Sequence, residues 1–171
     1  MPHTMKKCIF CAMVMVLFLL SACKTNEEPQ SSPRIYMSYF TVTHQGSSAK
    51  ADTLGVKTVG DTYVLDSISV GDTVRVDILL NAVTNTLNDF VFETDTNLIK
   101  FNFISYKELE SALTGDSDLS KGIFYFKSGY NAASLPLFYI ARKSGNANVS
   151  MKVSSDSKYS PSSLSFTQPV R

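Results

Sequence analysis

The chain has 171 residues, 16 of them basic and 15 acidic, a formal net charge of +1, and no tryptophan. A near-neutral chain of this length builds one compact domain and offers no basic face to nucleic acid, so no nucleic-acid partner is expected. Its three cysteines, Cys8, Cys11 and Cys23, all lie near the start, which leaves the rest without a thiol for a disulfide or a thiolate metal site.

Lys6 and Lys7 precede an uncharged run from Cys8 to Leu20. At ~1.5 Å per helical residue this run reaches about 20 Å, short of the ~30 Å hydrocarbon core, so it reads as a secretory signal and not as a membrane span. Leu20-Ser21-Ala22-Cys23 resembles the bacterial lipobox, in which the cysteine thiol is acylated and the peptide bond before it is cut. The resemblance implies a signal peptide over 1–22 and a lipidated Cys23. Each buried acyl methylene adds ~0.8 kcal/mol, so several chains would hold the protein on a membrane. With Lys6 and Lys7 removed, 14 basic residues face 15 acidic ones, a formal charge of −1.

Residues 23–33 continue as KTNEEPQSSP after the cysteine, polar and proline-punctuated, and are expected to form a flexible tether. Glu27-Glu28 looks like the export signal of surface lipoproteins in the Bacteroidota, where short acidic runs near the lipidated residue direct the protein outward. That resemblance implies a place on the outer membrane, at the cell surface or the periplasmic face.

From Arg34 to Arg171 the dominant pattern has period two, the mark of half-buried strands. A first strand is predicted from Tyr36 to Thr43. The loop after it holds His44, Ser47, Ser48 and Asp52, residue types of a serine triad, but nearness in a glycine-serine loop is no evidence that they converge. No catalytic residue is assigned, and the domain reads as a non-enzyme. A second strand is predicted from Tyr63 to Val70, followed by a Gly71-Asp72 turn. In DTVRVDILL, Val74, Val76, Ile78 and Leu80 share one face and Arg75 and Asp77 the other. Phe90 and Phe92 continue the alternation, then Ile99, Phe101 and Phe103.

The beat breaks once. Ser105 and Glu108 form a capping box before Leu109, Ala112 and Leu113, with Gly115 available as the stop, so a helix of one or two turns is predicted. Glu108 and Glu110 point to different sides of it and make a poor carboxylate pair. Alternation resumes at Phe124 and Phe126, at Leu135 to Ala141, at Val149, Met151 and Val153, and at Leu164 and Phe166. Pro136 lacks an amide hydrogen and predicts an edge position or a strand start. Turn residues separate nearly all of these segments. The expected fold is an all-β, immunoglobulin-like sandwich of about seven to nine antiparallel strands, with one short helix in a connection.

Two stretches carry a resemblance. VGDTVRVDILLNAVTNTLNDFVFETDTNLIKF, from Val70 to Phe101, looks like the early strands of bacterial immunoglobulin-like and cohesin-like sandwiches, where a Gly-Asp turn launches an alternating strand. KSGNANVSMKVSSDSKYS is similar to their late hairpin. The chain lacks the cysteine pair and core tryptophan of antibody-type domains, so the resemblance implies the architecture alone. Cohesins bind dockerin partners through a sheet face; no residue here identifies that interface.

Two sets of candidate contacts remain. Glu93, Asp95 and Asn97, with Asp116 and Asp118 in a second acidic turn, supply oxygens of the type calcium takes, without EF-hand glycine spacing; Asp and Asn are equally ordinary turn residues, and no metal or other cofactor is assigned. Tyr39, Tyr125, Tyr130 and Tyr139 fall on the outward phase or in turns and are candidate ligand contacts. The expected function is a lipid-anchored, non-catalytic binding or adhesion module of the cell envelope with a protein or glycan ligand. The alternative is a glycan-binding accessory lipoprotein of an outer-membrane nutrient-uptake system.

Overall fold

A computed structural model describes residues 30–47, 50–60 and 62–171. The expected signal segment, Cys23 and the expected tether up to residue 29 lie outside the described residues, as does Ser48. Strands form where apolar and polar residues alternate, because a strand turns successive side chains to opposite faces. They are β1 (Arg34–Thr43), β2 (Asp52–Thr53), β3 (Val56–Val59), β4 (Thr62–Leu65), β5 (Thr73–Asn81), β6 (Leu87–Thr94) and β7 (Ile99–Phe103), then β8 (Ile123–Tyr125), β9 (Ala132–Ala141), β10 (Gly145–Ser155) and β11 (Ser162–Val170). A helix α1 (Lys107–Ala112) and a 3-10 turn (Leu119–Lys121) lie between β7 and β8.

Two sheets result. The first runs β2-β1-β5-β9-β7 and the second β3-β4-β11-β10-β6-β8. The inward phase of each supplies the core: Val74, Val76, Ile78, Leu80, Leu135 and Leu137 from the first sheet, and Phe90, Phe92, Val149, Met151, Val153 and Phe166 from the second, are each at most 1% exposed. The strand order is that of an immunoglobulin-like sandwich, with β1, β5, β9 and β7 in the places of strands A, B, E and D, and β6, β10 and β11 in those of C, F and G.

The structure corrects several expectations. Among the described residues eleven strands form, because β2 and β3 are short pieces of two and four residues that alternation alone does not reveal. The predicted strand from Tyr63 to Val70 stops at Leu65, and Ile68 contributes only an isolated bridge to Val170. Pairing is not wholly antiparallel. The chain crosses to the second sheet between β2 and β3, and β4 then runs along β11 in the same direction, with Tyr63 beside Phe166 and Val64 beside Thr167.

Pro136 sits inside β9, which has β5 on one side and β7 on the other. Its carbonyl accepts from the Ile104 amide at 2.9 Å, on the side where the β7 ladder has already ended at Phe103. The missing N–H points to the same side and removes no ladder bond, so proline is tolerated at a local edge of an interior strand. At α1 the N-cap is Tyr106, without a side-chain cap bond, and Ser105 Oγ instead donates to Glu110 Oε1 at 2.6 Å. The helix ends at an extended Leu113, before Gly115, because Leu109, Ala112 and Leu113 are drawn into the core.

The last residues of the expected tether are docked. Gln30 Oε1 accepts from the Lys158 amide at 3.1 Å and from Asn85 Nδ2 at 3.4 Å, while the Ser31 amide donates to Asn85 Oδ1 at 3.2 Å. Pro33 is buried. Among the described residues, no helix is long and apolar enough to cross a membrane.

Candidate functional site

The outer face of the second sheet is built from the polar phase of the same strands that form the core. Opposite Met151 and Leu164, the register sets Lys152 beside Ser163, Ser150 beside Ser165 and Asn148 beside Thr167. On the other side of β10, Ser150 lies beside Glu93 and Lys152 beside Val91. This face carries a groove of about 720 Å³ lined by Tyr63, Val91, Glu93, Ser150, Lys152, Ser163 and Ser165. A second depression of about 520 Å³ continues it through Glu93, Ser150 and Ser165 to Thr62, Asn148 and Thr167.

Chemically the groove mixes hydroxyl, apolar and charged groups, and its charges balance. Ser150 Oγ donates to Glu93 Oε2 at 3.4 Å and Thr167 Oγ1 to Asn148 Oδ1 at 3.0 Å, which leaves both hydroxyl oxygens with acceptor capacity. Glu93 and Lys152 add one charge of each sign, which favours a neutral, hydroxyl-rich or amide-rich ligand over a strongly charged one. Tyr63, 41% exposed, adds an aromatic surface at the β4 side. Of these residues only Glu93 had been singled out from sequence, as a calcium candidate.

At the end of β1 the structure brings together a second set. His44 Nδ1 lies 2.9 Å from Asp72 Oδ2, and His44 Nε2 lies 3.6 Å from Asp52 Oδ2. Asp72 is the buried member, its side chain 3% exposed against 52% for His44. Its carboxylate also accepts from the Ser69 amide at 2.9 Å and the Gln45 amide at 3.1 Å. Burial alone would raise the Asp72 pKa, but the Ser69 amide, His44 and the Gln45 amide together outweigh it and hold the carboxyl below its ordinary value. The same turn needs Gly71, whose φ of +92° is a left-handed conformation. His44 and Asp52 are therefore neighbours, as a triad would require, but Nε2, where a nucleophilic hydroxyl would sit, faces a carboxylate.

The calcium candidates do not converge. Asp95 Oδ1 accepts from the Asn97 amide at 2.9 Å, and Asp118 caps the 3-10 turn through Ser120 and Lys121. Bonds from Ser120 and then Lys121 lower the Asp118 pKa to about 2. Among the described residues no group of three or more His, Cys, Asp or Glu side chains is placed to hold a metal ion.

The four tyrosines are also scattered. Tyr39, 74% exposed, sits on a bulge of β1 with φ +57°, beside Arg75 and Asp77 of the first sheet. Tyr125 is on β8, at the edge of the second sheet. Tyr130 is partly buried against the core, in the connection leading to β9. Tyr139 contradicts the sequence reading: it is fully buried on the inward phase of β9, and its hydroxyl donates to Gln168 Oε1 at 2.7 Å. Gln168 Nε2 in turn donates to the Asp66 and Pro169 carbonyls, both at 2.9 Å, and burial pushes the Tyr139 pKa up. Tyr139→Phe leaves Gln168 Oε1 without its donor and should cost about 1–2 kcal/mol in denaturant unfolding; a change under ~0.3 kcal/mol would show that this bond carries no stability.

No protein-family model matches the chain, and no curated protein matches it. Among solved structures, a family 123 glycoside hydrolase from Clostridium perfringens, described in terms of glycolipid glycan hydrolysis, is similar over 82% of this chain and 27% of that one. The TM-score is 0.43 and the sequence identity 12%.

Proposed function

We propose that the chain is a lipid-anchored cell-envelope lipoprotein acting as a non-catalytic binding or adhesion module, with the groove across β4, β11, β10 and β6 as its contact surface. The observation that carries this reading is the continuity of the two depressions through Glu93, Ser150 and Ser165. They form an open trough along a rigid sheet, not a closed pocket around a reacting group. The buried Asp72 is occupied in fixing the turn before β5 and the position of His44, a structural use of the only histidine among the described residues.

The hydroxyl lining favours a second, narrower reading, a glycan-binding accessory lipoprotein of an outer-membrane nutrient-uptake system. Extended sugars present dense hydroxyls that Ser150, Ser163, Ser165 and Asn148 could pair with, and a ring face that Tyr63 could stack on. Electrophoresis of the protein through gels containing neutral polysaccharides tests it. Retardation should appear with at least one of them and weaken about tenfold in Tyr63→Ala, the loss of roughly 1.4 kcal/mol. Ile140→Ala, on the outer face of the other sheet, should leave it unchanged. Mobility unaltered by every polysaccharide would remove the glycan reading, and adhesion to immobilised proteins unaffected by Tyr63→Ala would remove the groove as the contact surface.

A further inference from the structure

The docked Gln30 sets which pole of the sandwich an anchor at Cys23 would hold nearer a membrane. Gln30 is bound to Asn85, in the loop between β5 and β6, and to the Lys158 amide, in the loop between β10 and β11. Those loops are themselves joined, because the Thr86 amide donates to Asp156 Oδ1 at 2.9 Å and the Asp156 amide to the Thr86 carbonyl at 3.1 Å. Gln30 is seven residues beyond Cys23, and seven extended residues reach at most about 25 Å. β5 and β10, with 9 and 11 residues, run from this pole to the one that carries His44, a span of about 30–36 Å at ~3.3 Å per residue. A chain acylated at Cys23 and held at Gln30 is too short to let the sandwich stand on the bilayer by its His44 pole.

The near pole carries features that the core does not explain. Val83 has φ +60°, a conformation that a β-branched residue rarely adopts, and yet is 40% exposed. Its amide donates to Asn81 Oδ1 at 2.7 Å and its carbonyl accepts from Asn131 Nδ2 at 3.1 Å, so the conformation is locked from both sides. Tyr159, 56% exposed, lies in the neighbouring loop with the Lys158 ammonium 5.4 Å from its ring centroid. An aliphatic group, an aromatic ring and a cation at the place where a lipid-bearing chain arrives form the set that membrane interfaces select: apolar groups at the acyl boundary, tyrosine at headgroup level, lysine toward phosphate.

We propose that this pole docks on the lipid surface, with Val83 and Tyr159 entering the headgroup region and Lys158 facing lipid phosphates, so that the His44 pole points away from the membrane. The inference rests on acylation of Cys23. The absence of tryptophan makes the test direct. Val83→Trp, Tyr159→Trp and Val70→Trp, each in the full chain, would be purified with native processing and placed in phosphatidylethanolamine–phosphatidylglycerol vesicles with or without brominated acyl chains. Val70 belongs to the turn at the far pole, where its amide donates to the Arg171 carbonyl. Brominated lipid should quench the Val83→Trp and Tyr159→Trp variants about twofold and leave Val70→Trp unchanged. An intact mass on each sample reports acylation. Acylated protein in which the two near-pole variants are unquenched, or in which Val70→Trp is quenched as strongly, overturns the docked pole and leaves the anchor standing; unacylated protein removes both.

Discussion

Phe103→Ala should lower the stability of the domain by about 3–5 kcal/mol, the usual cost of emptying a buried phenylalanine site. Phe103 is a ring at which the two sheets meet. It belongs to β7 of the first sheet, is 4% exposed, and stands 4.8 Å from Phe124, 5.4 Å from Phe92 and 6.4 Å from Phe90 of the second, mostly edge to face. Phe101 packs against it from the same strand at 5.9 Å. Truncation removes these contacts together and leaves a cavity between the sheets that the surrounding side chains fill only in part. For a domain of this size the loss corresponds to a fall in Tm of roughly 10–20 °C. Ile140→Ala, on the exposed face of β9, should cost under about 1 kcal/mol. Similar Tm values for the two variants would mean that the inter-sheet aromatic cluster does not organise the fold.

Asp72→Ala should cost about 2–4 kcal/mol at pH 7, because it removes a buried acceptor that serves two amides and an imidazole. The effect has a defined pH dependence. The folded-state pKa of Asp72 lies below its ordinary value, so the folded protein holds this proton less readily than the unfolded chain. Its stabilisation is fully present above the unfolded pKa of about 3.9 and is lost as pH falls through the lower folded value. Thermal unfolding of wild type and Asp72→Ala between pH 7 and pH 3 should show a constant gap down to about pH 4 and a narrowing gap below it. A gap of the same size at pH 3 and pH 7 would show that the charged carboxylate is not what holds the turn.

Legibility from sequence followed physical locality. In β5 and β10 one face is buried and the other polar, so alternation alone placed Val74, Val76, Ile78 and Leu80, and Val149, Met151 and Val153, in the core. In β9 both phases are apolar, Leu135, Leu137 and Tyr139 on one side and Phe138 and Ile140 on the other, and the phase of Tyr139 could not be read. Its hydroxyl is satisfied by Gln168, 29 positions away, a partner that no local pattern reveals. The capping box at Ser105 failed because Glu110, one turn further on, took the serine hydroxyl. Nearness in the loop gives no sign of which groups meet His44; the fold brings Asp52 to it and adds Asp72, which the Gly71-Asp72 turn delivers from 28 positions away. The groove was invisible for another reason. Ser150, Lys152, Ser163 and Ser165 read individually as solvated strand positions, and only the register of β10 with β11 and β6 assembles them.

The proposed attachment of this sandwich to a membrane underlies both the proposed function and the orientation of its poles, and the mass of the N-terminal peptide of protein isolated from its native source tests it most directly. The account predicts a mature chain that starts at Cys23 and carries a thioether-linked diacylglyceryl group. A chain that retains residues 1–22 with an unmodified Cys23, or a mature terminus at any other residue, would contradict it.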